Sequence, residues 1–353
     1  FVASRSQSID DDVQTQRALV QARDALIGYA ATNTTRPGNL PCPDRTGSGS
    51  ASSCGSVARR IGFLPWKTLG LPDLRDGSGA PLLYAVSNTF RAGTGVLNAD
   101  TQGDYTVTGQ QSGTGVIAIV FAPGQVVGTQ KRDTATAACA TTGGSLARNL
   151  CVANYLEGGN ENGDTNFVSA AASSTFNDQL MLITRDNLFP PVLMQVAQTV
   201  KGNLNAFYAG RGFYPYASAF SDSGNNCAVG TLQGKLALNT SNSGTCPVAA
   251  YTPPSWFTAN NWHQSIFYAV SPLCISAATR ASCESTGGLT VTGVSSKARA
   301  LLLISGRAYA GQARPCSALA DCLEDSENRN GDAVFQSPVL SASNNDRLVI
   351  VAE

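Results

Sequence analysis

Two acidic loops carry the side chains of this chain that are best suited to chemistry. The segments LEGGNENGD (156–164) and LEDSENRNGD (323–332) each place carboxylate and amide oxygens around a glycine turn. Such loops suit Ca²⁺, which takes six to eight oxygen ligands. They predict two calcium sites, with ligands Glu157, Asn160, Asn162, Asp164, Glu324, Asn328, Asn330 and Asp332. Neither loop has the full EF-hand pattern, and the alternative is an Asn-Gly-Asp turn whose side chains satisfy backbone groups.

Residues for enzymatic chemistry are sparse. Acid–base and triad mechanisms usually need a histidine, and His263 is the single one. Carboxylates of the acidic loops would serve glycoside hydrolysis only if they met across a cleft. No glycine-rich loop has the spacing of a phosphate- or dinucleotide-binding motif. We therefore expect that this protein is not an enzyme. The remaining catalytic alternative is a secreted hydrolase.

The chain repeats itself. The strings YAVS (84–87), TVTG (106–109) and VIAIV (116–120) return in order and at one constant offset, as YAVS (268–271), TVTG (290–293) and ALLLI (300–304). The NGD string at 162–164 and the segment 177–183 return at a second, shorter offset, at 330–332 and 345–351. This duplication predicts two modules, residues 1–186 and residues 187–353.

Each module is predicted to be α+β. Leu19, Ala22, Leu26, Ile27 and Ala30 recur at helical spacing, with Ser8 and the acids at 10–12 expected in the first turn. A second helix follows from residue 192, with Pro190 and Pro191 expected in its first turn. Short β-rich runs come next, at 82–87, 104–109, 115–122 and 178–184 in the first module. We expect each helix to pack on an antiparallel sheet of about four strands.

Ten cysteines lie as close neighbours in glycine- and serine-rich loops. This arrangement predicts local disulfides and an oxidising compartment, with free buried thiols as the alternative. The predicted pairs are Cys42 with Cys54, Cys139 with Cys151, Cys227 with Cys246, Cys274 with Cys283, and Cys316 with Cys322.

The composition indicates a globular, exported protein. Apolar residues make up 42% of the chain, and charged residues only 14% with a net charge of zero. Such a surface attracts neither nucleic acid nor an anionic membrane. The sequence contains no run of about 18 apolar residues, so we predict no membrane span.

Aromatic residues are concentrated in the second module. If exposed, they would form a ligand patch for a glycan or a surface; if buried, they would fill the core, which is the interpretation we favour. The candidate residues are Tyr214, Tyr216, Trp256 and Trp262.

The first module resembles the type IV pilin and type II secretion pseudopilin class. The resemblance rests on ALIGYAATNTTRPGNLPCPD (25–44), GFLPWKTLGLPDLRDGSGAPLLYAVS (62–87), YLEGGNENGDTNF (155–167) and FNDQLMLITRDNLFP (176–190). It implies an exported bacterial subunit of an extracellular pilus-like filament, with copies of itself or other pilins as partners. A minor tip subunit or adhesin that binds through the aromatic-rich second module is the alternative.

The resemblance also bears on calcium and on the N-terminus. Pseudopilins often hold calcium in a loop near the closing strand, which adds to the calcium prediction. Residues 2–12 are too polar for the apolar N-terminal helix of the class, so we expect this chain to be the soluble head without that anchor.

Overall fold

The chain folds into two compact units. The computed structural model describes residues 2–56, 60–91, 93, 95–139, 145–238 and 253–353, with the backbone alone for residues 2–8. The first unit comprises Phe1–Leu97 and Thr101–Pro191, and the second comprises Asn98–Asp100 and Val192–Glu353. The main division therefore falls at Pro191, close to the boundary that the repeat predicts.

Two long helices open the two repeats. Helix α1 spans Val2–Thr32 and helix α2 spans Arg185–Arg211. In α1, Leu19, Ala22 and Leu26 are fully buried, as the helical spacing predicts. Two expectations about helix starts were wrong. The acids at 10–12 lie inside α1 rather than in its first turn, and Pro190 and Pro191 lie more than one turn inside α2.

The cause of the second error is a turn of helix that precedes the prolines. The preceding strand ends at Ile183, and the amide of Leu188 already donates to Thr184 O at 3.0 Å. Asn187 Oδ1 accepts the Thr184 amide at 2.8 Å, which caps this added turn. Two short helices, α3 (Ser255–Ala259) and α4 (Arg280–Thr286), lie in the second unit.

The main sheet of the first unit has four antiparallel strands. In spatial order they are β1, β2, β5 and β9. The strands of this unit are β1 (Ile61–Phe63), β2 (Leu83–Val86), β3 (Tyr105–Gly109), β4 (Gly113–Val116), β5 (Ala118–Ala122), β6 (Thr136–Ala138), β7 (Ser145–Ala147), β8 (Asn166–Ser169) and β9 (Gln179–Ile183). Helix α1 packs against β5 and β9.

The second unit repeats this sheet with the order β10, β11, β14 and β16, again antiparallel. Its strands are β10 (Gln233–Lys235), β11 (Ile266–Val270), β12 (Leu289–Val291), β13 (Ser295–Ala298), β14 (Ala300–Ile304), β15 (Val334–Phe335) and β16 (Arg347–Ala352). The repeat extends to single bonds. Tyr84 Oη donates to Pro41 O at 3.1 Å, and Tyr268 Oη donates to Pro215 O at 3.2 Å.

The TVTG strand does not belong to the main sheet, contrary to the expectation of a single antiparallel sheet in each module. In each unit it forms a separate three-stranded sheet, ordered β4, β3, β8 and β13, β12, β15. Strands β3 and β8 run parallel, as do β12 and β15. The rings of Tyr105 and Phe167 from this small sheet join the core that contains Leu83 and Phe121 of the main sheet.

Four of the five predicted cysteine pairs are disulfides. They join Cys42 to Cys54, Cys139 to Cys151, Cys274 to Cys283, and Cys316 to Cys322. The fifth predicted pair involves Cys246, which lies outside the described residues. Disulfides of this number indicate an oxidising compartment such as the cell exterior. In the described part of the chain, no helix is long and apolar enough to cross a membrane.

Candidate functional site

The NGD turns have the same geometry in both units. Asn162 Oδ1 accepts the Asp164 amide at 2.8 Å, and Asp164 Oδ1 accepts the Asn166 amide at 2.6 Å. In the second unit, Asn330 Oδ1 accepts the Asp332 amide at 2.9 Å, and the Asp332 carboxylate accepts the Val334 amide at 2.7 Å. By accepting these backbone amides, the side-chain oxygens shape the turns that precede β8 and β15, as in a plain Asn-Gly-Asp turn.

A buried asparagine ties each loop to the following strand. Asn160 is fully buried; its Nδ2 donates to Val168 O at 3.0 Å, and its Oδ1 accepts the Val168 amide at 2.8 Å. Asn328 makes the same two bonds with Gln336, both at 2.9 Å. The side-chain amide of each asparagine therefore satisfies both the backbone N–H and the backbone C=O of one residue, as a neighbouring strand would.

A pair of carboxyl groups lies behind each loop. Asp178 is buried, and its Oδ2 accepts the Glu157 amide at 3.0 Å and Asn160 Nδ2 at 2.9 Å. Asp346 accepts the backbone amides of Glu324 and Asp325 at 2.6 and 2.8 Å. In both aspartates Oδ1 is buried and meets no hydrogen-bond donor among the described residues.

The neighbouring glutamate explains that missing donor. Burial raises the pKa of Asp178 to about 8, and the negative charge and hydrogen bonding of Glu157 add to the increase. Burial likewise raises the pKa of Asp346 to about 7, with Glu324 adding to it. Since two neighbouring carboxylates repel each other when both are charged, the raised pKa favours a protonated aspartate beside each glutamate below that pH.

A glutamine donates a hydrogen bond to the glutamate of each carboxyl pair. Gln130 Nε2 donates to Glu157 Oε1, and Gln312 Nε2 donates to Glu324 Oε1 at 2.8 Å. An arginine lies two residues after each glutamine and bonds back to the glycine that begins the same segment. Arg132 Nη1 donates to Gly124 O at 2.8 Å, and Arg314 Nη2 donates to Gly306 O at 2.6 Å.

The sequence interpretation missed the aspartate, glutamine and arginine of this constellation. A signal for two of them was present. The pattern G-x5-Q-x-R occurs at 124–132 and again at 306–314, at an offset that differs from those of the longer repeated strings. The aspartates follow Asn177 and Asn345 in the repeated closing segment, where the β-rich pattern indicates a strand rather than a site.

The calcium prediction remains a prediction. The structure brings Glu157 and Asn160 together with Asp178, whereas Asn162 and Asp164 form a separate exposed turn. Among the described residues, no group of three or more His, Cys, Asp or Glu side chains is arranged to hold a metal ion.

The four candidate aromatic residues are divided between full and partial burial. Tyr214 is 1% exposed and stacks on Tyr208 with ring centroids 4.6 Å apart, and Trp262 is fully buried. These two rings belong to the core and cannot form an exposed patch. Tyr216 and Trp256 are half-buried, and Trp256 meets Phe257 edge-on.

Each unit has a cleft beside the first strand of its main sheet. The cleft of the first unit has a volume of about 560 Å³ and is lined by Phe63, Trp66 and Tyr155 together with Arg75 and Asp73. The cleft of the second unit has a volume of about 430 Å³ and includes Lys235 and His263.

The two clefts occupy equivalent places. Phe63 of β1 pairs with Leu83, and Lys235 of β10 pairs with Phe267, the residues that precede the two YAVS tyrosines. Both first strands also form an antiparallel bridge to the loop that follows the long helix, Phe63 to Asp44 and Lys235 to Ser218. The two units therefore share the position of the cleft but differ in the residues that line it.

Comparisons with known proteins yield no relative. No protein family matches the sequence, no curated protein is detectably similar to it, and no solved structure matches the fold.

Proposed function

We propose that this protein is an exported structural subunit of an extracellular, pilus-like filament, assembled by packing of its folded units. The observation that carries the proposal is the recurrence of one architecture: a long helix followed by a four-stranded antiparallel sheet, with the same strand order in both units. A chain with two similar units presents two related surfaces, and head-to-tail contacts between such surfaces can propagate.

The constellation of Glu157 and Asp178, and its copy, supports a structural role for the acidic loops. Its groups bond mainly to backbone amides and to one another, and the aspartates are 3% and 1% exposed. Groups placed in this way hold a loop on a sheet.

The surface offers apolar side chains for subunit packing. Val339 and Leu340 are adjacent in the second unit and are 79% and 51% exposed. We take these two side chains as the candidate contact between subunits.

Electron microscopy and sedimentation of the purified, oxidised chain test the proposal. We expect filaments that pellet, and we expect the double variant V339S/L340S to shift protein to the supernatant. The variant S337A, in the same exposed segment, is the matched control and should polymerise normally. A chain that stays monomeric over the concentration range tested would contradict a self-assembling filament.

The second candidate is a minor tip subunit or adhesin. The cleft of the second unit favours it, because the lining of this cleft, with Lys235 and His263, differs from that of its counterpart in the first unit. A stable monomer that co-sediments with preformed pilin filaments would support this role.

A further inference from the structure

A buried lysine lines the cleft of the second unit. The side chain of Lys235 is only 8% exposed, and its ammonium donates to Asp222 O. The carboxylate of Asp222 is engaged in its own turn, where it accepts the amides of Gly224 at 2.9 Å and Asn226 at 2.7 Å. None of the described residues that line the cleft is acidic. Burial lowers the pKa of Lys235, and the charge of the Asp222 carboxylate opposes this effect. Because that carboxylate bonds to its own turn and does not line the cleft, an anion in the cleft can still pair with the buried ammonium.

His263 supplies a second polar group in the same cleft. Its Nδ1 is buried and has no hydrogen-bond partner among the described residues. Burial lowers the pKa of His263, and the charge of Lys235 lowers it further, against an opposing backbone hydrogen bond with Phe257. The ring is therefore neutral at pH 7, and Lys235 supplies the positive charge of the cleft.

The remaining lining divides into polar and apolar parts. Ser221, Ser223 and Ser317 bring hydroxyl groups, which can donate to an anion. Phe220 and Phe267 form an apolar wall, with ring centroids 5.7 Å apart. A volume of about 430 Å³ is in the range of small-molecule sites.

We propose that this cleft binds an organic monocarboxylate, with the carboxylate on Lys235 and His263 and the apolar part of the ligand against Phe220 and Phe267. One ammonium balances one carboxylate, whereas a phosphate dianion would leave a negative charge buried and unpaired. The first unit carries Phe63 at the position of Lys235, so its cleft lacks this site. The proposal does not depend on filament assembly.

Calorimetric titration of the oxidised chain with 3-phenylpropionate tests it. We expect a Kd on the order of 1 mM or tighter. The neutral 3-phenylpropionamide has nearly the same shape and should bind at least about tenfold more weakly, because it cannot pair with the buried ammonium. Equal binding of acid and amide would overturn the proposal, as would tighter binding of inorganic phosphate or no binding of the acid.

Variants assign the site within the molecule. K235M should weaken binding of the acid at least about tenfold. K297M removes an exposed lysine of the same unit and should leave binding unchanged. K235F, which places the residue of the first unit at the equivalent position, is the second variant in case K235M does not fold. Unchanged affinity in a folded Lys235 variant refutes the assignment, and the comparison of acid with amide in the unaltered protein requires no variant.

Discussion

At the scale of single residues, the carboxyl pairs of Asp178 with Glu157 and of Asp346 with Glu324 make stability depend on pH. Burial raises the pKa of each aspartate above its value near 4 in an unfolded chain. Each pair therefore binds a proton on folding, so stability is highest at acid pH and falls as the pH rises toward about 7 to 8. We expect each unit to lose on the order of 2–4 kcal/mol of unfolding free energy between pH 5 and pH 8.

Urea unfolding of D178N and D346N measures this effect. An asparagine keeps the acceptor for the loop amides and supplies a permanent donor to the glutamate. We expect each variant to be more stable than the unaltered chain at pH 8 and to lose most of the pH dependence of its unit. D164N, in the exposed turn, is the control. If the D178N/D346N double variant kept the slope between pH 5 and 8, the carboxyl pairs would not be its source.

The buried asparagines should matter more than the exposed ones. N160A leaves the backbone groups of Val168 without their partners and removes one of the two donors to Asp178, so we expect a loss of about 2–3 kcal/mol. N162A, in the exposed turn two residues later, should cost less than about 1 kcal/mol. Chemical denaturation of the two variants compares them, and equal losses would contradict the assigned roles.

The sequence identified these loops but not the way they work. Residue types alone grouped Asn160 with Asn162 and Asp164 as candidate ligands, because all carry oxygens. Only tertiary contacts separate the buried amide from the exposed turn. Asp178 and Gln130 lie far along the chain from Glu157, so local spacing could not join them.

At the scale of elements, the local disulfides should stabilise their loops. Cys274 and Cys283 lie nine residues apart and connect the middle of α4 to the turn after β11. Removing this bond with C274S/C283S should lower the unfolding free energy by about 2–3 kcal/mol, mainly because the unfolded chain gains freedom. Urea unfolding of the variant, compared with the oxidised parent, measures the loss. A loss below about 0.5 kcal/mol would indicate that the loop is held by its packing alone.

Periodicity predicted the elements better than their ends and partners. The buried stripe of α1 and the main-sheet strands β2, β5 and β9 follow directly from apolar spacing. Strand β1 has only three residues, and the parallel pairing of β3 with β8 joins segments far apart in sequence, so neither leaves a local pattern. Pro190 and Pro191 suggested a helix start because the capping by Asn187 cannot be read before the structure is known.

At the scale of the whole molecule, the two units should unfold as separate cooperative blocks. Each has its own main sheet and its own buried cluster. We expect differential scanning calorimetry at pH 8 to show two transitions, with D178N raising one and D346N raising the other. A single transition that both variants shift equally would show that the chain unfolds as one block.

The disulfides described above close only small rings, since their partners lie 6 to 12 residues apart. None of these four bonds ties distant parts of the chain together. The oxidised chain, once denatured, therefore has nearly the hydrodynamic size of a linear one, and its electrophoretic mobility should barely change on reduction. Counting the bonds in this protein consequently requires a mass measurement rather than a gel.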